Sequence, residues 1–233
     1  MKAIILCGGH GTRLRPLTYS IPKAMVPVNE QTLTEHVFDI LKKFDVTEIL
    51  LSVAYKKEMM KGYFKDGCAF GVDIGYVEET VPLGTAGPII ILNNENKGIK
   101  ETFFMINGDN LFDLDLDEMI GFHRKNKATV TIALSKVDDA RQYGVAVLEG
   151  DRIKEFIEKP EHPPTNYINS GYYLMEPEVF EMLKGKEKAM LEKDLFPKLA
   201  KEGKLFGYKS DSLWFDTGTP ERYAEVKNKW KLS

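Results

Sequence analysis

Short apolar runs separated by amphipathic stretches set the pattern of this chain. "KAIIL" at 2–6, "EILLSV" at 48–53, "VDIGYVE" at 72–78 and "TFFMI" at 102–106 read as strands with both faces covered. Between them, "TLTEHVFDILKKF" places Leu33, Val37, Phe38, Ile40, Leu41 and Phe44 on one helical stripe. "KKEMMKGYF", "GTAGPIIILNN" and "LDEMIGFHRKN" are further predicted helices, the second starting at a glycine, and "ATVTIAL" is the next strand. Strand and helix thus alternate through the first half, which predicts a mostly parallel sheet.

The second half changes character. "YGVAVLEGDRIKEFIEK" predicts a hairpin turning at Glu149-Gly150-Asp151, and "YINSGYYLM" alternates as a strand. Helices are predicted near 177–184 and 192–202, and a last one over "TPERYAEVKNKW", with Pro220 in its first turn. The expected class is α/β: a Rossmann-like, mixed, mostly parallel central sheet with helices on both faces. With no repeat and no linker, residues 1–233 read as one domain.

Composition narrows the partners. The 233 residues carry 32 Lys and Arg against 35 Asp and Glu, a net charge of −3 with no basic face advertised, so nucleic acid is not an expected partner. No apolar run approaches the ~20 residues a membrane span needs, and no leader pattern precedes the first strand; a cytoplasmic protein is expected. Cys7 and Cys68 make no zinc spacing, and Cys7 reads as a small buried residue.

Positive charge is local instead. After the first strand come Gly8, Gly9 and Gly11, then Arg13, Arg15 and Lys23, with no acid among them. The segment lacks the Lys-Ser/Thr of a Walker loop, and Leu14 stands where a dinucleotide fingerprint needs its last glycine. What remains, G-G-x-G-T-R, suits a polyphosphate: bare backbone N–H groups, the planar fork of Arg13 and the point charge of Lys23. A loop of turn glycines with solvated basic side chains is the plainer alternative, and the rest of the chain decides between them.

The stretch "LCGGHGTRLRPLT…PK" resembles the signature of the sugar-1-phosphate nucleotidylyltransferases, also called nucleoside-diphosphate-sugar pyrophosphorylases. "PLGTAGPI", "INGDNLF", "EKP", "NSGYY" and "WFDTGTPERY" recur in that family's order, so the resemblance spans the chain. "LGTAGP", "RLRPLT" and "EKDLFPKLAKEGKL" lean toward the mannose-1-phosphate guanylyltransferases. The resemblance implies the nucleotide-diphospho-sugar transferase fold, similar to GT-A. It implies a nucleotide-binding part over about 1–135 and a sugar-phosphate-binding part over about 136–233, without the C-terminal left-handed β-helix that many relatives carry.

By the same resemblance, Leu6, Gly8, Gly9, Gly11, Thr12, Arg13, Glu79, Gly84, Thr85 and Asp109 contact the nucleotide, and Arg13 and Lys23 are catalytic. Asp109 and Asp216 are the ligands of Mg²⁺, a hard cation that takes one or two carboxylates plus phosphate oxygens. Both aspartates follow apolar runs, where ligands of open α/β sheets bind. Gly144, Glu158, Lys159, Asn169 and Gly171 contact the sugar 1-phosphate. The acids of "DLDLDE" read as helix caps, and His36 and His123, on predicted helices, as surface or edge residues.

The implied reaction joins a nucleoside triphosphate to a sugar 1-phosphate and releases pyrophosphate, with no general base needed because the attacking oxygen is already anionic. A carboxylate at Glu79 could accept both N1–H and N2–H₂ of guanine, with Glu78 and Glu79 simply pointing to solvent as the plainer alternative. Together with the guanylyltransferase-like blocks, the resemblance implies GTP with mannose 1-phosphate. UTP or dTTP with glucose 1-phosphate, or heptose or N-acetylmuramic acid 1-phosphate as acceptor, are alternatives. "MVPVNEQTLTEH", with Gln31-Thr32 before the helix instead of Lys-Pro, departs from the family pattern and leaves the subfamily open. A glycosyltransferase would need no triphosphate cradle, and a non-catalytic regulatory subunit would have lost Arg13, Lys23, Asp109 or Asp216. A cytidylyltransferase for choline phosphate would prefer aromatic partners such as Tyr172, Tyr173 and Trp214. Homo-oligomers are compatible with the sequence.

Overall fold

The computed structural model describes residues 1–230, so the last three residues of the expected sugar-phosphate part lie outside it. The chain forms two compact units that alternate along the sequence. The first takes Met1–Val81, Ile106–Leu114 and the segment from Leu213 onward; the second takes Pro82–Met105 and Asp115–Ser212.

In the first unit, strands Lys2–Leu6, Glu48–Val53 and Asp73–Glu78 pair in parallel, Lys2 opposite Glu48 and Glu48 opposite Asp73. Ala3, Ile4, Ile5, Leu51 and Val53 are fully buried, as an apolar run covered on both faces requires. Helix Leu33–Lys42 opens with a capping box: the Glu35 N–H donates to Thr32 Oγ1 at 3.2 Å, and the Thr32 N–H donates to Glu35 Oε2 at 2.7 Å. Its buried stripe holds Leu33, Val37, Phe38, Ile40 and Leu41, and Phe38 meets Phe64 edge-on at 5.4 Å. The helix stops at Lys42, leaving Phe44 half-buried while Val46 takes the core position. A short antiparallel pair, Asn110–Phe112 with Trp214–Asp216, joins the middle of the chain to its C-terminal segment.

The second unit is mixed. Val130–Lys136 pairs in parallel with Leu205–Lys209 and antiparallel with Tyr167–Met175. Gly144–Glu149 and Arg152–Glu158 form the expected hairpin. Parallel pairing is therefore concentrated in the first unit. Helix Gly87–Asn94 starts three residues after Gly84, because Gly84 turns the chain with φ +85° and Pro88 occupies the first helical turn. The helix expected near 192–202 is a π-helical turn, Leu191–Leu195, continued by α-helix Phe196–Lys201. Among the described residues, no helix is long and apolar enough to cross a membrane.

Candidate active site

The first strand delivers the glycine loop. The Cys7 N–H donates to Ser52 O at 2.9 Å, which extends the strand pairing before the chain leaves the sheet. Burial pushes the Cys7 thiol up to about 12, so it packs as a small apolar residue and offers no thiolate. Gly11 lies in the left-handed region at φ +60°, and a Cβ there would stand 2.8 Å from Thr18 Cγ2 and 3.0 Å from Lys23 Cβ. Only glycine fits that turn. The Thr18 hydroxyl closes it by donating to Gly11 O at 2.8 Å. One 3-10 turn, Thr12–Leu14, then buries Leu14 and leaves Thr12 and Arg13 exposed.

Lys23 is buried, and its Nζ lies 2.5 Å from Asp109 Oδ2. Asp109 follows strand Phe103–Asn107 through Gly108, whose N–H donates to Leu6 O at 3.0 Å. A Cβ at Gly108 would stand 2.9 Å from that carbonyl, so the backbone can approach the first strand only without a side chain. The peptide oxygen of Asp109 accepts from the Thr217 hydroxyl at 2.8 Å, and Asp216 is the register partner of Asn110. Two aspartates far apart in sequence thus sit at neighbouring ends of one short strand pair. Asp216 Oδ2 lies 2.5 Å from Arg222 Nη1 on helix Pro220–Lys229. Arg13 comes to the same place: a Cβ on Gly218 would meet Asp216 Oδ1 at 2.7 Å and Arg13 Nη2 at 3.3 Å.

The structure therefore brings Arg13, Lys23, Asp109 and Asp216 together within one unit. It adds Arg222, which the sequence does not single out. Among the described residues no three or more His, Cys, Asp or Glu cluster as a metal cage. The fit to a divalent cation is the two-carboxylate kind: paired hard oxygens, with further positions left to phosphate and water.

The adjacent acids Glu78 and Glu79 diverge. Glu78 pairs with Lys57 at 2.9 Å and Lys61 at 2.7 Å, whose hydrogen bonds hold its carboxyl down at about 2. Glu79 turns inward, where its Oε1 accepts from the Ser52 hydroxyl at 3.2 Å and lies 3.9 Å from where a Gly8 Cβ would be.

In the second unit, Glu158 stands opposite Gly144 in the hairpin register, and a Cβ on Gly144 would meet Phe156 Cζ at 2.5 Å and Glu158 Oε2 at 3.0 Å. Lys159 adopts φ +47°, extends into solvent and pairs with Glu158 Oε1 at 2.9 Å. Asn169 donates from Nδ2 to the Tyr173 hydroxyl at 2.9 Å, and its Oδ1 accepts from the Gly171 N–H at 2.9 Å. Gly171, at φ +83°, lies where the register with Val130–Lys136 slips between Asn169 and Tyr173. The glycine inside this strand thus marks a bulge. Glu158, Lys159, Asn169, Gly144 and Gly171 belong to this unit together with Gly84 and Thr85.

Two expectations about histidines are overturned. His36 and His123 are buried, not surface residues. His36 Nε2 donates to Val28 O at 2.9 Å while Nδ1 accepts from the Trp230 indole N–H at 3.2 Å. His123 meets Thr131 Oγ1 at 2.7 Å and Glu176 Oε1 at 3.0 Å, and desolvation lowers its pKa. Polar residues on an amphipathic helix read as exposed; these two are buried because each ring nitrogen finds a partner. The acids of "DLDLDE" do cap: Asp115 Oδ1 accepts from the Glu118 N–H at 2.9 Å.

A family model described as "Nucleotidyl transferase" matches residues 2–232. The mannose-1-phosphate guanylyltransferase of Mycobacterium tuberculosis is 40% identical over 226 residues, covering 96% of this chain and 62% of that protein. The chain spans 62 to 63% of the length of the first curated relatives it matches. A Bacillus anthracis crystal structure, named provisionally as a glucose-1-phosphate thymidylyltransferase and holding a sucrose, superposes with a TM-score of 0.89 at 26% identity, covering 100% of this chain and 97% of that one. HddC from Yersinia pseudotuberculosis complexed with GMP-PN gives 0.82 at 28% identity, covering 99% of both. By sequence over nearly its whole length, this chain belongs to the nucleotidyl transferase family.

Proposed function

We propose that the chain transfers a nucleotidyl group from a nucleoside triphosphate to a sugar 1-phosphate and releases pyrophosphate, with GTP and mannose 1-phosphate as the substrate pair. The observation that carries this reading is the convergence of Arg13, Lys23 and Arg222 on Asp109 and Asp216 beside the glycine loop. An anionic triphosphate needs that many cations, and a divalent ion needs those carboxylates. The chemistry follows from charge. An oxygen of the sugar phosphate attacks the α-phosphorus, and the bond to the bridging oxygen breaks. The electron pair then leaves with pyrophosphate, so one phosphoanhydride replaces another.

The protein's work is alignment and neutralisation. Arg13 binds the outer phosphates, Lys23 the reacting phosphate and Lys159 the acceptor's phosphate, while Glu158 and Asn169 take sugar hydroxyls. Asp109 and Asp216 would hold Mg²⁺, which when bound offsets charge on phosphate oxygens. Glu79 supports guanine, since its carboxylate is turned toward the loop and can accept two donors from the pairing edge. The guanylyltransferase relatives point to the same base and to mannose. The Bacillus anthracis structure favours a second reading, in which dTTP and glucose 1-phosphate are used. We place the reaction in the cytoplasm, by a chain that assembles with copies of itself.

The test is a matrix of GTP, UTP, dTTP, ATP and CTP against mannose, glucose, heptose and N-acetylmuramic acid 1-phosphates, read as pyrophosphate release with Mg²⁺. GTP with mannose 1-phosphate should give the highest kcat/KM. No release from any pair would end the proposal.

A further inference from the structure

Glu192 is a buried acid that the reaction above does not use. It lies in the π-helical turn Leu191–Leu195 of the second unit, where burial raises its pKa. Its Oε2 accepts from the Thr85 hydroxyl at 2.6 Å. The same hydroxyl oxygen accepts from the Leu191 N–H at 2.8 Å, so Thr85 has spent its one donor inside the protein. Around this bond the two segments are laced together. The Ala189 N–H donates to Leu83 O at 3.0 Å, and the Ala86 N–H to Ala189 O at 3.1 Å. Gly84 permits the approach, since a Cβ there would stand 2.3 Å from Ala189 O.

The far side of this segment packs on the strand that ends at Glu158, one of the residues expected to meet the sugar 1-phosphate. Phe196, next after the π-helical turn, meets Phe156 of strand Arg152–Glu158 edge-on at 5.2 Å. The charges of Glu158 and Lys159 at that strand's end both act on Glu192. One buried carboxylate therefore ties the Gly84–Thr85 loop to a segment packed against the Glu158–Lys159 strand.

We infer that Glu192 is a positioning residue: through the Thr85 hydroxyl it fixes the loop Leu83–Ala86 in the one conformation that presents the Gly84–Thr85 backbone to the nucleotide. The inference rests on the reading of that loop as a nucleotide contact. Because the hydroxyl is committed inward, backbone is what remains at Thr85 to meet a ligand. The bond needs an acceptor at Glu192, which an amide also supplies, and a donor at position 85, which serine also supplies.

Three variants test it: Glu192→Ala, Glu192→Gln and Thr85→Val. Glu192→Ala and Thr85→Val should each raise KM for the nucleoside triphosphate about tenfold, the loss that removing one such bond to a charged group brings. KM for the sugar 1-phosphate should change less than threefold. Glu192→Gln, which keeps an acceptor for the Thr85 hydroxyl, should stay near wild type. The Glu192→Ala/Thr85→Val double variant should be no worse than either single one, because both remove the same bond. Amide hydrogen exchange of residues 83–86, read without substrate, should be at least tenfold faster in Glu192→Ala and unchanged in Glu192→Gln. That arm needs no turnover, so it decides the inference even if no substrate pair reacts. Wild-type exchange in Glu192→Ala, or a Glu192→Gln variant as impaired as Glu192→Ala, would overturn it.

Discussion

Lys23 Nζ lies 2.5 Å from Asp109 Oδ2, with the lysine side chain 10% exposed and the aspartate 37%. The cation is held by the fold while its partner remains open to a ligand. Such a preorganised charge needs no reorganisation when a phosphate arrives. Lys23→Ala should lower kcat about 10²–10³-fold, the usual cost of losing one charge-stabilising donor. Asp109→Asn should lower kcat comparably. The far-UV spectrum should stay intact in both, because the carboxylate is open to water and neither change removes an apolar side chain from the core. Normal turnover by either variant would refute the assigned roles.

Asp216 is paired with Arg222 at 2.5 Å. An ion approaching Asp216 must compete with that guanidinium. Mn²⁺ titrated into nucleotide-free protein and followed by electron paramagnetic resonance should bind several-fold more tightly to Arg222→Gln than to wild type. It should bind more weakly to Asp216→Asn. Equal affinities in all three would separate these residues from the metal.

Glu79 offers a handle on the base. If its carboxylate reads guanine, Glu79→Gln exchanges one acceptor for a donor and should lower kcat/KM for GTP relative to UTP by about tenfold, one charge-assisted bond's worth. Competition between the two triphosphates in one reaction measures this directly. An unchanged ratio would mean that Glu79 has a structural role and does not read the base.

His123 gives a pH dependence with a defined sign. Its folded-state pKa is lowered below the ordinary 6.5, chiefly by desolvation, with Arg124 acting in the same direction and Glu176 against it. Below pH 6.5 the unfolded chain therefore takes up the proton before the folded one does. The contribution to stability is complete above that pH and is lost as pH falls through and below it. Melting temperature should fall between pH 7 and 5, and His123→Gln should flatten that slope. An identical slope in the variant would show that other groups carry it.

Much of this was readable without coordinates. The strands Lys2–Leu6, Glu48–Val53 and Tyr167–Met175 follow from apolar runs or alternation, and the helix Leu33–Lys42 from its stripe, because burial writes those periods into the sequence. The three-residue strands Asn110–Phe112 and Trp214–Asp216 are too short to show a period, yet they set Asp109 beside Asp216. The sequence does not single out Arg222 or Glu192, since nothing local distinguishes a charge with a tertiary partner from one in water. His36 and His123 read as surface or edge residues for the same reason, because the partners of their ring nitrogens lie outside their own helices. The glycine loop stood out because Gly11 and Gly108 answer to steric limits that admit no side chain.

The interleaving of the two units bears on how the chain matures as it is made. Asp216, Thr217 and Arg222, together with the Trp230 indole that meets His36, all come from the stretch after Leu213. A nascent polypeptide carries Lys23 and Asp109 long before these partners emerge from the ribosome. A chain stalled before Leu213 should therefore lack the paired site, and the triphosphate affinity proposed for that site should arrive late and abruptly during synthesis.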